Sequence, residues 1–418
     1  MLFKEQGNAM PLFSILIPTY NRSALLINAL KSVMAQDFDD FEVIVCDDCS
    51  TDDTMSVMLE ISRNDKRIKY YRNNFNLGPV ENTKKLLYDH AAGKYVLFLC
   101  DDDYLFDSSF FKAAADAIFE DPEVGVVIAD SKVVNYHDNS EITANLEGYG
   151  IFQGKNYFKT HRRLVPNINA ALIETELVKK VYRSISSTNW EAGLEILFKT
   201  YWYSKVAHLN ITASAWVHHP GGTGFAAANR SAVFFIRAVD CYWNLYRIIL
   251  EDGTFTADEM AHVEKYFFTN PLYDFLCALY KEGIRDAAEV EKLFSERNPL
   301  LGEYLHEKIS GLTCRGYANG KGFAIYGAGI AGKEVAAYLK KAGIKTAFFL
   351  DDGITGEVSG IPVRKISSIN TADYNIIIGI GNLTVSEKIH EELTSLGAAS
   401  ICGFNDYIFA LFLNGGDN

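Results

Sequence analysis

Asp101, Asp102 and Asp103 follow directly on the apolar run Tyr95–Leu99 in KYVLFLCDDDYL. Three adjacent carboxylates repel one another. A hard cation such as Mg²⁺ or Mn²⁺, with phosphate oxygens on its other face, can hold such a set together. The plainer alternative is a solvated turn after a strand. A second acidic strand end, Asp47-Asp48 in VIVCDDCSTDDT, favours the metal. A carboxylate there can accept the N3–H of uracil or thymine, or the N1–H and N2–H of guanine; adenine and cytosine carry no imide proton. Ser50 and Asp52 fit turn and helix-cap roles. Together the two ends suit a nucleoside diphosphate lying across a sheet edge. The ion would neutralise the diphosphate and act as a Lewis acid if the diphosphate leaves, as transfer from a nucleotide sugar requires.

The elements that must position these acids alternate along residues 12–130. Apolar strands are predicted at Phe13–Ile17, Phe41–Cys46, Ile68–Arg72, Tyr95–Leu99 and Val124–Ala129, with helices over 23–35, 52–63, 79–92 and 108–120. Strand alternating with helix predicts an α/β fold with a mostly parallel sheet, whose ligands lie beyond the carboxyl ends of the strands. Both acidic pairs fall there, as does Pro18-Thr19-Tyr20-Asn21. Residues 131–225 mix short strands and loops with a helix near 189–203. Residues 229–310 read as helical; Arg237 and Asp240 interrupt their apolar face, which predicts a packed helix rather than a membrane-lying one. A break from Gly316 to Gly322 precedes a second α/β unit with strands Phe323–Tyr326, Thr346–Leu350 and Asn375–Ile380. The division expected is 1–225, a helical domain or linker over 226–318, and 319–418.

With SILIPTYNR at 14–22, VIVCDDCSTDDT at 43–54, NLGPVENTKKLLYDHAAGKYVLFLCDDDYL at 76–105 and WVHHPGG at 216–222, residues 12–222 resemble glycosyltransferase family 2, of GT-A fold. The resemblance implies an inverting, metal-dependent transferase that moves a sugar from an activated donor, often UDP-linked, to a glycan or lipid-linked acceptor. It places Pro18, Tyr20 and Asp48 in the nucleoside site with Asp47 beside them. Asp102 becomes the main metal ligand, and Asp101 or Asp103 faces the ribose or sugar. His219 falls near the diphosphate or metal, on a Gly-rich loop. The family often reads Gly where this chain has Cys49, and its metal motif often begins one position earlier, at Cys100. Inversion needs a base for the acceptor hydroxyl. In SSTNWEAGLEILFKTYW the candidate is Glu191, with Glu195 one turn later; complementing the helix N-terminus is the structural alternative for Glu191.

FAIYGAGIAGKEVAAYLKKAGIKTAFFLDDG is a second motif: strand, Gly327-x-Gly329-x-x-Gly332, helix, strand, and Asp351 where an acid can hold a ribose hydroxyl. Continuing through GEVSGIPV, it resembles the Rossmann-like N-terminal domain of sugar acyltransferases and related nucleotide-sugar modules. It raises two rivals: an NAD-dependent nucleotide-sugar oxidoreductase or epimerase, and a non-catalytic nucleotide-sugar-binding module. The short-chain oxidoreductase Tyr-x-x-x-Lys pair should follow such a loop. Tyr201…Lys205 and Tyr304…Lys308 both precede it.

A net charge of −13 argues against nucleic acid as a partner. The seven Cys lack paired spacing, which fits a reducing cytosol, and the lone Cys46-x-x-Cys49 has no second pair to complete a zinc site. No signal peptide and no membrane span are expected. A cytoplasmic location results, with room for peripheral contact at the inner membrane face and for a homo-oligomer.

Overall fold

A computed structural model describes residues 10–135, 141–144, 148–161, 168–185, 191–218, 232–269, 292, 295–296, 299–303, 321–341, 345–380, 383–398 and 401–403. The chain divides into two compact units, 1–230 with 241–268, and 231–240 with 269–418. His219, Trp190 and most of 270–320 lie outside the described residues, and nothing is described of the Glu191 side chain.

The first unit opens with β1 (Phe13–Thr19), α1 (Ser23–Met34), β2 (Phe41–Asp47), α2 (Thr54–Asn64), β3 (Ile68–Arg72), α3 (Pro79–Lys85, running into a π-turn at Leu86–His90) and β4 (Tyr95–Phe98). β1, β2 and β4 are buried on both faces, which is why they read as unbroken apolar runs. They pair parallel in the order β3-β2-β1-β4. Next come β5 (Tyr104–Leu105), α4 (Phe110–Glu120), β6 (Val124–Asn135), β7 (Glu141–Ala144), β8 (Gly150–Gln153), α5 (Gly154–Thr160), β9 (Ala171–Glu174), α6 (Thr175–Tyr182), α7 (Glu191–Tyr203), β10 (Lys205–His218), α8 (Ala232–Asp252, of which 241–252 belong to this unit) and α9 (Ala257–Val263). The sheet continues β4-β9-β6-β10-β5, with β7 on β6 and β8 on β10.

Here the structure is more mixed than the alternating pattern alone suggests. β9 enters antiparallel between β4 and β6, while β6 and β10 run parallel. β10 shifts register between Leu209 and Thr212 and again before Ser214, which lets one long strand serve β8 at its start and β5 at its end. Aromatic packing of Phe13 with Phe38, Tyr95 and Phe111 seals the core under the strand starts. At that same end Ser14 Oγ donates to Glu42 and accepts from the Gly93 N–H, so a buried acid is satisfied well away from the carboxyl ends. Trp202 is a core residue, stacked between Phe198 and Phe255.

The second unit has β11 (Gly322–Tyr326), α10 (Ile330–Lys341), β12 (Thr346–Leu350), β13 (Glu357–Val358), β14 (Ile361–Arg364), β15 (Tyr374–Ile378), α11 (Leu383–Ser395) and β16 (Ile401–Gly403). The sheet order is β13-β14-β12-β11-β15-β16, parallel except for β13. Alternate residues of its central strands face opposite sides. Ile325, Phe349 and Ile377 pack under Val335 and Leu339 of α10; Ala324, Phe348, Ile376 and Ile378 pack under Ile389 and Leu393 of α11. No helix among the described residues is long and apolar enough to cross a membrane.

Candidate active site

The parallel register places Thr19, at the end of β1, opposite Asp47, at the end of β2. β4 flanks β1 on its other side, and the aspartate turn follows it. Thr19 joins the two. Its carbonyl accepts from the Asp48 N–H at 2.9 Å, and its hydroxyl donates to Asp101 Oδ2 at 2.7 Å. The two acidic strand ends thus meet on one edge through a single residue.

Asp47 and Asp48 are buried at 0% and 3% exposure, and protein donors hold both. Asp47 Oδ1 accepts from the Ser50 N–H at 2.8 Å; Oδ2 accepts from the Tyr70 hydroxyl at 2.7 Å and faces Arg72 Nε at 3.4 Å. Asp48 Oδ1 accepts from Asn73 Nδ2 at 2.9 Å and the Leu77 N–H at 2.8 Å, and Oδ2 from the Gly78 N–H at 2.8 Å. These contacts fold the 73–78 loop against the strand end. Asp48 uses three of a carboxylate's roughly four acceptor sites in this way. Tyr20 is 43% exposed and Pro18 is half-buried, both at the same edge.

Cys49 has φ +67°, in the left-handed region that favours glycine. That conformation accounts for the Gly common in the resembling family. Cys49→Gly is therefore expected to gain up to about 1 kcal/mol by removing the Cβ strain, read as a higher melting temperature. A lower one would mean that the Sγ contacts to Asn74 and Arg72 outweigh the strain.

In the aspartate turn the three acids differ sharply. Asp101 faces Thr19 and Arg22; burial raises its carboxyl above the usual range against the pull of both. Asp103 accepts from the Val217 N–H at 2.8 Å and from Asn169 Nδ2, so it ties the turn to the end of β10. Burial, then the nearby Asp102 charge, pushes the Asp103 carboxyl up to about 8. Asp102 is more open than Asp101: its side chain is 14% exposed against 7%. Cys100, Asp102 and Asp103 bring one ligand atom each within 4.8 Å of one another. Two carboxylates with that spacing fit a divalent cation, and the thiol sits where the family motif begins. Arg22 was not singled out from sequence. Its Nη1 reaches Asp102 Oδ2 at 2.7 Å and Asp101 Oδ1 at 3.1 Å.

Residues 14–177 match the model of glycosyl transferase family 2, and residues 323–393 match the PglD N-terminal domain. The chain carries a glycosyltransferase family 2 domain. A 97-residue stretch is 50% identical to the GalNAc(5)-diNAcBac-PP-undecaprenol beta-1,3-glucosyltransferase of Campylobacter jejuni, covering 23% of this chain and 31% of that protein. A 174-residue stretch is 32% identical to the poly(ribitol-phosphate) beta-N-acetylglucosaminyltransferase TarS of Staphylococcus aureus, covering 41% of this chain and 27% of that one. The chain thus spans less than a third of the length of these relatives. A crystal structure of S. aureus TarS 1–349 in complex with UDP-GlcNAc aligns over 84% of this chain and 98% of that one, at 20% identity and a TM-score of 0.47.

Beyond the residues that match the family model, Glu191 is the first residue of α7, while Glu195 is buried and paired with Lys199 Nζ at 2.6 Å. That pairing separates two acids which sequence spacing left on one face. His218 closes β10 directly after Val217, the residue held by Asp103. Tyr201 is fully buried, and Lys205 pairs with Asp121 and Glu123, so neither forms an oxidoreductase dyad.

In the second unit Gly327 has φ +96°, and a Cβ on Gly332 would lie 1.8 Å from the Gly327 carbonyl oxygen. Asp351 accepts from the backbone N–H groups of Ala328, Gly353 and Ile354 at 2.9–3.0 Å. Backbone packing alone thus explains Gly327 and Gly332, and it gives Asp351 a structural role. At Gly329 an added Cβ would meet nothing within 4 Å.

Proposed function

We propose that the family 2 domain is an inverting, metal-dependent glycosyltransferase that moves a sugar from a nucleotide donor, UDP-linked by preference, to a glycan or lipid-linked acceptor. The observation that carries this is the meeting of Asp47-Asp48 and Asp101–Asp103 on one sheet edge through Thr19. At one end, Asp48 beside the exposed Tyr20 ring would meet the base; Pro18 and Asp47 shape the strand ends behind it. At the other, Asp102 with Asp103 would hold Mn²⁺ or Mg²⁺, whose chemistry is to neutralise the leaving diphosphate. Asp101 and Asp103 also fix the turn, so their share in facing the ribose is secondary to holding Asp102 in place. By the family resemblance, His219 would act near the diphosphate or the metal.

Glu191 would take the acceptor proton, since it opens a helix whose second acid is already paired. With Mn²⁺ present, the whole chain should release UDP from a UDP-sugar and give a product of inverted anomeric configuration by NMR. Glu191→Gln should lower kcat by on the order of a hundredfold or more while donor Kd stays within about twofold. Parent-level turnover would place the base elsewhere. Retention of configuration would overturn the single-displacement reading.

The match of residues 323–393 to the PglD N-terminal domain and the open space at Gly329 support a nucleotide on the Gly327 loop as a second, separate reading. It would be a binding function rather than hydride transfer, because both Tyr-x-x-x-Lys pairs lie on the wrong side of the loop in the chain.

A further inference from the structure

We propose that Arg22 is a movable counter-ion: it occupies Asp101 and Asp102 until a nucleoside diphosphate arrives, and then exchanges those carboxylates for the diphosphate, leaving Asp102 to the cation. This deepens the donor-and-metal reading above and rests on it. One nitrogen, Nη1, spans both acids, at 3.1 Å from Asp101 Oδ1 and 2.7 Å from Asp102 Oδ2. That is not the two-nitrogen fork by which arginine holds a single carboxylate most firmly. The side chain is 23% exposed, so Arg22 is not sealed into the core. It sits directly after the Asn21 turn, where φ +53° swings the chain off the end of β1 and toward the shared edge.

Three carboxylates in a row need a positive charge when no metal is present, and Arg22 supplies one. The same charge opposes a divalent cation on the Asp102 carboxylate, since like charges a few ångströms apart repel strongly in a half-buried site. Diphosphate reverses the balance. Guanidinium suits phosphate oxygens at least as well as carboxylates, and each phosphate that draws Arg22 away frees a ligand oxygen for the metal. Metal and nucleotide then assist each other's binding by the same factor. Asp101 need not follow Arg22, because the Thr19 hydroxyl holds its other oxygen.

The test is Mn²⁺ binding, not turnover. Free Mn²⁺ is titrated by electron paramagnetic resonance with the whole chain, with and without UDP, after subtracting Mn²⁺ held by UDP alone. In the parent, UDP should tighten Mn²⁺ binding by tens of fold, within the usual range of site-to-site coupling. Arg22→Gln should bind Mn²⁺ about tenfold tighter than the parent without UDP, and UDP should add only a few-fold. Arg22→Lys, which keeps the charge, should stay near the parent. Equal or weaker UDP-free binding in Arg22→Gln overturns the exchange while leaving the donor reading intact. If neither protein binds Mn²⁺ even with UDP, the donor-and-metal reading falls and the exchange with it. If Arg22→Gln does not fold, the parent decides: Mg²⁺ with UDP must shift the Arg22 Nε–H resonance and Mg²⁺ alone must not. A resonance unmoved by both together overturns the proposal.

Discussion

Asp102→Ala is expected to cut sugar transfer by on the order of a thousandfold while the fold survives. The size follows from the role proposed for it. A cation that neutralises a departing diphosphate supplies several kcal/mol in the transition state, and losing one preorganised charge contact commonly costs a hundredfold to a thousandfold in rate. The fold should survive because, among the described residues, Asp102 pairs with Arg22 and not with a strand. Asp101 holds Thr19, and Asp103 holds Val217 and Asn169; their loss would move strands. Donor turnover with Mn²⁺, beside an unchanged melting temperature, checks both halves. A variant that keeps parent turnover removes Asp102 from the metal. A variant that melts early shows that Arg22 needed Asp102 as a structural partner.

Gly332→Ala should destabilise the second unit by about 3 kcal/mol, the upper end of what overpacking costs. The added methyl would sit 1.8 Å from the Gly327 carbonyl oxygen, and that neighbour is backbone with no rotamer to yield. Gly379 already packs against the same point: a Cβ there would be 2.7 Å from the Gly332 Cα. Hydrogen exchange on the whole chain should show faster opening over 322–378, with the strands of the first unit unchanged. Protection left intact would mean that the loop can spread, and that its glycines serve something other than close packing.

Much of this was legible in the sequence because the relevant signals are local. The runs at 13–17, 41–46 and 95–99 are buried on both faces, so they stand out as uninterrupted apolar stretches, and the acids that end them mark the edge. β1 runs two residues further than its apolar core, since Pro18 and Thr19 continue the pairing with β2. What stayed hidden depends on distant partners. Asp103 finds Asn169 and Val217 at separations of 66 and 114 residues, and no window of sequence contains either pairing. β9 is four residues long and takes its antiparallel direction from the gap between β4 and β6. Arg22 looks like an ordinary solvated charge after Asn21; only the fold brings it to Asp101 and Asp102. The available hint was a cation directly following the first strand, opposite an uncompensated acidic run.

Thr19 has a consequence for how this edge could change over time. Its main-chain oxygen and its side-chain oxygen each secure a different acid, so under the proposed assignment nucleobase preference and ion preference share one mechanical joint. A variant that trades the acid at the base end must keep that carbonyl where it is, or the ion end shifts with it. Redirecting such an enzyme to a new donor is then a matter of strand registry first and of side-chain choice second.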